Sequence, residues 1–136
     1  MKKFILFIWQ LPQNILGLLV ILFTGAVKIE CYYFTNKCSE FGVSLGNFII
    51  FGGYYLPSSL GDLRHEQGHQ KQSLYLGWLY LILIGLPSII GNIYDRMFHK
   101  KWDNIRRVKW YYNQPWEKWA DKLGGVNRNK YLEEII

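Results

Sequence analysis

Cysteine is almost missing from this chain, with Cys31 and Cys38 the two in 136 residues. So few exclude a disulfide scaffold, and without Cys-x-x-Cys spacing they do not make a cysteine zinc site. One hairpin bridge, or two reduced thiols, is what remains. The chain also lacks a recognisable RNA- or DNA-binding motif, a phosphate-cradling loop and an obvious Ser/His/Asp triad. No internal repeat or low-complexity stretch appears. Acidic side chains are the minority sign, ten against sixteen basic, for a net charge of +6. Residues 28–73 hold four of each sign, whereas residues 94–136 hold ten basic and six acidic.

Apolar surface is abundant. Half the residues are hydrophobic and 18% are aromatic, with ten Tyr and six Trp. Amphipathic rings in such number suit a membrane–water interface. With apolar runs beside it, the basic end is expected to meet the headgroups of a lipid bilayer, and nucleic acid is not an expected partner. The length fits one domain with one core.

Lys2 and Lys3 precede an apolar run over residues 4–27, interrupted by Gln10, Pro12, Gln13 and Asn14. A bilayer span needs ~20 residues, so the run is long enough to cross, with a kink at Pro12. Phe23-Thr24-Gly25-Ala26 is a poor cleavage site, so residues 1–27 read as an uncleaved transmembrane anchor. Residues 28–55 are rich in β-formers bounded by turn residues around Asn36-Lys37, Ser39 and Gly52-Gly53. They predict two or three short strands, with residues 42–51 the strongest.

A helix follows, with Ser59 as its cap and Asp62 answering three residues on. It carries His65-Glu66-Gln67-Gly68-His69, the His-Glu-x-x-His pattern. Residues four apart share a helical face, so both imidazoles can reach one ion, and Glu66 is placed to take a proton from metal-bound water. Two imidazoles, a carboxylate and an open position suit Zn2+. A chance match on an exposed polar turn is the rival reading.

Residues 74–93 are almost wholly apolar, broken at Gly85-Leu86-Pro87-Ser88. A basic, aromatic segment comes next, then a short helix over residues 116–123 that Pro115 opens and Gly124-Gly125 closes. That helix reads Glu117-Lys118-Trp119-Ala120-Asp121, with both carboxylates on one face. Glu117 suits the metal, and Asp121 suits the far N–H of a ligating imidazole. An ordinary charged amphipathic helix is the alternative.

In joint order these motifs resemble the gluzincin-type zincin metallopeptidases, whose second metal helix carries Glu-x-x-x-Asp. More closely they are similar to small bacterial membrane-associated proteins sharing four features. Here these are Gly42-Val43-Ser44-Leu45-Gly46, His65 to His69 with Gln72-Ser73, Gly85-Leu86-Pro87-Ser88, and Trp116-Glu117. The resemblance implies His65, His69 and Glu117 as zinc ligands, Glu66 as general base and Asp121 behind a ligand. It implies an edge strand at Ser44, Leu45 and Gly46 to hold an extended peptide. Tyr111, Tyr112 or His99 could donate to the oxyanion, although His99, among Lys100 and Lys101, reads better as a headgroup contact.

The expected architecture is α+β, membrane-associated and minimally zincin-like. It comprises an N-terminal transmembrane helix, a small sheet, the metal helix, an apolar helical hairpin or re-entrant segment, and a C-terminal Glu-bearing helix. Residues 28–136 would form the metallopeptidase domain, with residues 74–93 embedded in the bilayer. One straight helix from His69 to residue 93 would run ~36 Å and strand Glu117 across the membrane. A turn-back at Gly85-Leu86-Pro87 is therefore expected. The expected activity is hydrolysis of peptide bonds, in a peptide or membrane protein, by zinc-activated water. The location would be a bacterial inner or plasma membrane, on either side. The alternative is a non-catalytic metal-binding membrane protein that binds a partner.

Overall fold

The computed structural model describes residues 1–30, 33–36, 42–52 and 60–135. Cys31, Cys38, the Ser59 cap and the turns expected at Lys37, Ser39 and Gly53 lie outside them. The described chain is a mixed α+β fold, mostly helical, with one four-stranded sheet.

The N-terminal apolar run is not one helix. Helix α1 (Lys2–Trp9) and helix α2 (Leu11–Thr24) meet at 81° around Gln10. Pro12 has no N–H to offer the Ile8 carbonyl, so the helical ladder cannot run through. That carbonyl instead accepts the Trp78 indole N–H at 3.0 Å. The polar interruptions are fully buried: Gln10, Gln13 and Asn14 tie the bend to the rest of the protein. The Gln13 amide donates to Ser73 Oγ (3.0 Å) and the Gly77 carbonyl (2.7 Å), and Ser73 donates to Gln10 Oε1 (2.7 Å). Asn14 Oδ1 accepts the Asn47 N–H at 2.8 Å. These bonds make the bend part of the packed structure. Gln13→Leu should cost about 1–3 kcal/mol, because the buried Gly77 carbonyl then loses this donor. Denaturant unfolding in detergent measures it, and an unchanged midpoint would contradict the role.

Strands β1 (Val27–Glu30), β2 (Tyr33–Asn36), β3 (Val43–Leu45) and β4 (Phe48–Gly52) form the sheet in the order β1-β2-β4-β3. The β2–β4 pair is parallel, and the outer pairs are antiparallel. The expected strand over residues 42–51 is thus corrected to a hairpin. Gly46 turns it at φ +63°, and a Cβ there would lie 2.2 Å from Asn14 Oδ1. A side chain has neither the conformation nor the room. Ile49 and Ile50 of β4 are completely buried in the core.

Helix α3 (Leu60–Leu76) carries the histidine motif, and it stops at Gly77 with φ +53°. The Trp9 ring fills the place of a side chain there, 2.3 Å from where a Cβ would sit. The helical run breaks here, and it continues without reversal through Gly85-Leu86-Pro87. Beyond a 3-10 turn at Gly77–Leu79, a π turn (Leu81–Gly85) runs straight into helix α4 (Leu86–Phe98). A wider π turn absorbs Pro87, whose ring would otherwise press on the carbonyl four residues back. Leu81–Phe98 is one helix of 18 residues, long and apolar enough to cross a membrane. Helix α5 (Asn104–Tyr112), capped by Asp103, helix α6 (Pro115–Gly124) and helix α7 (Arg128–Ile135) follow. α6 lies against α3 and ends at Gly125, φ +72°.

Candidate metal centre

His65 and His69 stand one turn apart on α3, their ring centroids 4.7 Å apart. Glu117, in the first turn of α6, points between them and is completely buried. Its Oε2 lies 3.1 Å from His65 Nε2 and 3.2 Å from His69 Nε2. The three ligand atoms all fall within 4.8 Å of one another, a group that can hold a metal ion.

Each donor is held from behind. His65 Nδ1–H donates to Asp121 Oδ1 at 2.7 Å, and His69 Nδ1–H donates to Gln72 Oε1 at 2.7 Å. Both Nε2 atoms are thereby aimed inward, the arrangement that orients imidazole ligands. Asp121 is clamped in turn by the Arg128 guanidinium through two hydrogen bonds. Ser88 on α4 donates to Glu117 Oε1 at 2.6 Å. With its proton spent there, Ser88 accepts one from Tyr111, whose hydroxyl lies 2.8 Å away. Glu117 therefore turns Oε2, the oxygen that Ser88 leaves free, toward the two histidines.

The two ligand helices approach until backbone meets backbone. A Cβ on Gly68 would sit 1.9 Å from the Ala120 carbonyl oxygen, and one on Gly124 would sit 2.0 Å from that of Arg64. Gln72 spans the seam, donating to the Trp116 carbonyl at 2.8 Å while it accepts from His69. The glycine inside the histidine motif is thus a packing requirement of the α3–α6 crossing.

Burial works against every charge here, and partners decide the outcome. It pulls the His65 pKa down, but hydrogen bonds to Asp121 and Glu117 outweigh it and lift the value to about 9. It pushes Glu117 and Asp121 up, yet the hydrogen-bonding histidines, joined at Asp121 by Arg128, hold both below the usual carboxylate range. An incoming ion must displace the His65 proton.

Glu66 differs. Burial drives its pKa up, against the pull of both histidines. Its Oε2 is buried with no hydrogen-bond partner among the described residues. A Cβ on Gly42 would lie 2.8 Å from its Oε1, so that glycine makes room for the carboxyl. Glu66 and the three ligand residues line a cavity of about 540 Å³.

Ser44 and Leu45 also line the cavity, from β3 at the sheet edge. Gly46 does not, being in the hairpin turn against Asn14. Tyr111 and Tyr112 line it too, the Tyr112 ring edge-on to His65 at 5.0 Å, with the Arg128 guanidinium lying over the Tyr112 ring 3.7 Å from its centroid. His99 is elsewhere, buried between Asp95 and a stacked Trp102 ring at 3.7 Å. It is not in the cavity, and its burial keeps it from being a headgroup contact.

Gln72, Ser88 and Arg128 carry roles that motif reading did not assign. Gln72, three residues after His69, shares its helical face, and that spacing could have revealed it. Nothing in the spacing of Ser88 or Arg128 points to the site. The chain matches no family model, no curated protein and no solved structure, so the zincin likeness stands on the motif and the buried triad.

Proposed function

We propose that this chain is a membrane-associated, zinc-dependent peptidase. The observation that supports the reading is the buried, convergent triad His65–His69–Glu117 with Glu66 beside it on one cavity. Two imidazole nitrogens and one carboxylate oxygen are a zinc donor set with a coordination position to spare. Bound there, zinc would supply Lewis acidity to water and to a substrate carbonyl. Glu66, whose Oε2 meets no other donor, takes a proton from the attacking water and returns it to the leaving amine. Tyr112 is the better placed of the two tyrosines to steady the oxyanion, because the Tyr111 proton is committed to Ser88. Asp121 and Gln72 keep the histidines turned inward.

The membrane part of the reading rests on exposed apolar side chains. Leu22 and Phe23 on α2, with Ile82, Ile90, Ile93, Met97 and Phe98 along the second apolar helix, all face outward. Water-soluble monomers rarely leave so much apolar surface uncovered. Metal analysis of the detergent-purified full chain tests the centre. About one zinc per chain is expected, as a three-residue donor set implies, and His65→Ala or His69→Ala should lose it. Equal metal in wild type and variants would sink the reading.

A further inference from the structure

Leu16, Leu86 and Ile89 have two surfaces at once. Each lines the cavity, and each is exposed, by 40%, 53% and 59%. Outside, exposed apolar side chains that are not part of this lining flank them, Leu19 and Leu22 on α2 and Ile82, Ile90 and Ile93 on the second helix. A cavity mouth rimmed with aliphatic groups, inside a wider apolar surface, faces hydrocarbon wherever that surface lies in a bilayer. A water-borne polar peptide would have to cross that rim with its backbone desolvated.

We propose that the cavity opens sideways into the bilayer, between α2 and the Leu81–Phe98 helix, and that its substrate is a membrane-embedded polypeptide segment. This rests on the peptidase reading and deepens it. The inner walls select a polypeptide over an acyl chain. One wall is β3, one of the two edge strands among the described residues, where backbone groups can pair with an extended segment. The Ser44 carbonyl accepts the Tyr80 hydroxyl at 3.1 Å, and its second lone pair is available to a peptide N–H. Asn92 adds a further polar group to the lining. An acyl chain would cover these groups without pairing them, at a cost that a peptide backbone avoids. Leu81 and Ile84, also in the lining, suit an aliphatic side chain of such a segment.

The test uses the full chain, cobalt-loaded, in phosphatidylcholine–phosphatidylglycerol nanodiscs, with the cobalt absorption bands as readout. The probes are a hydroxamate on a short leucine-rich peptide, the same group on a lysine-rich peptide, and an N-hydroxy fatty amide. The leucine-rich probe should shift the bands at the lowest concentration. Leu16→Trp and Ile89→Trp, which narrow the mouth, should each weaken it by about ten-fold or more, equivalent to about 1.4 kcal/mol, with cobalt content unchanged. Ile93→Trp, on the same exposed surface but outside the cavity lining, should leave it unaltered. Undiminished binding in both mouth variants, or equal binding of the lysine-rich probe, would overturn the sideways opening. A fatty amide binding as tightly as the leucine-rich peptide would overturn the choice of a polypeptide. A chain that takes up no cobalt removes the peptidase reading and the opening together. Lost discrimination with cobalt intact removes the opening alone.

Discussion

Gly68→Ala should strip the metal from a protein that keeps every ligand. The added methyl would sit 1.9 Å from the Ala120 carbonyl oxygen, less than any real contact tolerates. No rotamer relieves it, because a Cβ is fixed by its backbone and so is the carbonyl it meets. The α3–α6 seam must therefore widen. His65 and His69 ride on one side of it and Glu117 on the other, and a metal site tolerates distance errors of only about ±0.2 Å. Overpacking of this kind costs about 1–3 kcal/mol, and here the seam also carries the Gln72 and Asp121 hydrogen bonds. Zinc content and the denaturation midpoint should both fall. Gly85→Ala is the control, since its nearest neighbours lie at 3.6 Å or beyond; it should keep zinc. Full metal content in Gly68→Ala would mean that the crossing does not set the site.

Glu66→Gln should do the opposite, keeping zinc and losing turnover. Glu66 is no part of the convergent triad, so the amide leaves the three donors in place. What disappears is the group that moves the proton, an effect of about 10²–10⁴-fold for general acid–base catalysis. Glu117→Ala should instead lose metal, and Asp121→Asn should weaken affinity or activity by about 10–100-fold, as changes behind a ligand do. Cleavage of a pool of membrane-proximal peptides, followed by mass spectrometry, separates these outcomes. Turnover by Glu66→Gln at the wild-type rate would end its assignment as base. No cleavage by wild type or variant, with zinc bound in both, would favour a metal-binding protein that captures a partner.

Much of the candidate metal site could be read from the chain, because its rules are local. Helical spacing puts His65 with His69, and Glu117 with Asp121, on common faces whatever the tertiary fold. Pro115 and Gly125 bound α6 by backbone chemistry alone. What could not be read depends on partners distant in sequence. Gln10, Gln13 and Asn14 look like flaws in an apolar span, yet they satisfy Ser73, Gly77 and Asn47, which lie 33 to 64 residues away. Hydropathy counts them as interruptions and has no means of seeing these distant hydrogen-bond partners. The Gly85-Leu86-Pro87 break misled for a related reason. Proline argues against a regular helix, but a π turn is a third choice between continuing and reversing. The break in the helical run belongs instead to Gly77, whose positive φ no hydrophobic pattern marks.

The π turn at Leu81–Gly85 also sets angular phase. Such a turn houses one residue more than an α-helical turn would. Winding the same residues as a regular α ladder would leave composition and span length almost untouched. It would spread the extra residue along the axis, turning everything after it by ~100° and pushing it on by ~1.5 Å. Ser88 would swing off the Glu117 carboxylate, and Ile89 and Asn92 would leave the cavity wall together. The helix would stay as long and apolar as before, while the candidate metal site lost one of its walls. One extra residue thus keeps two demands on the same helix in step.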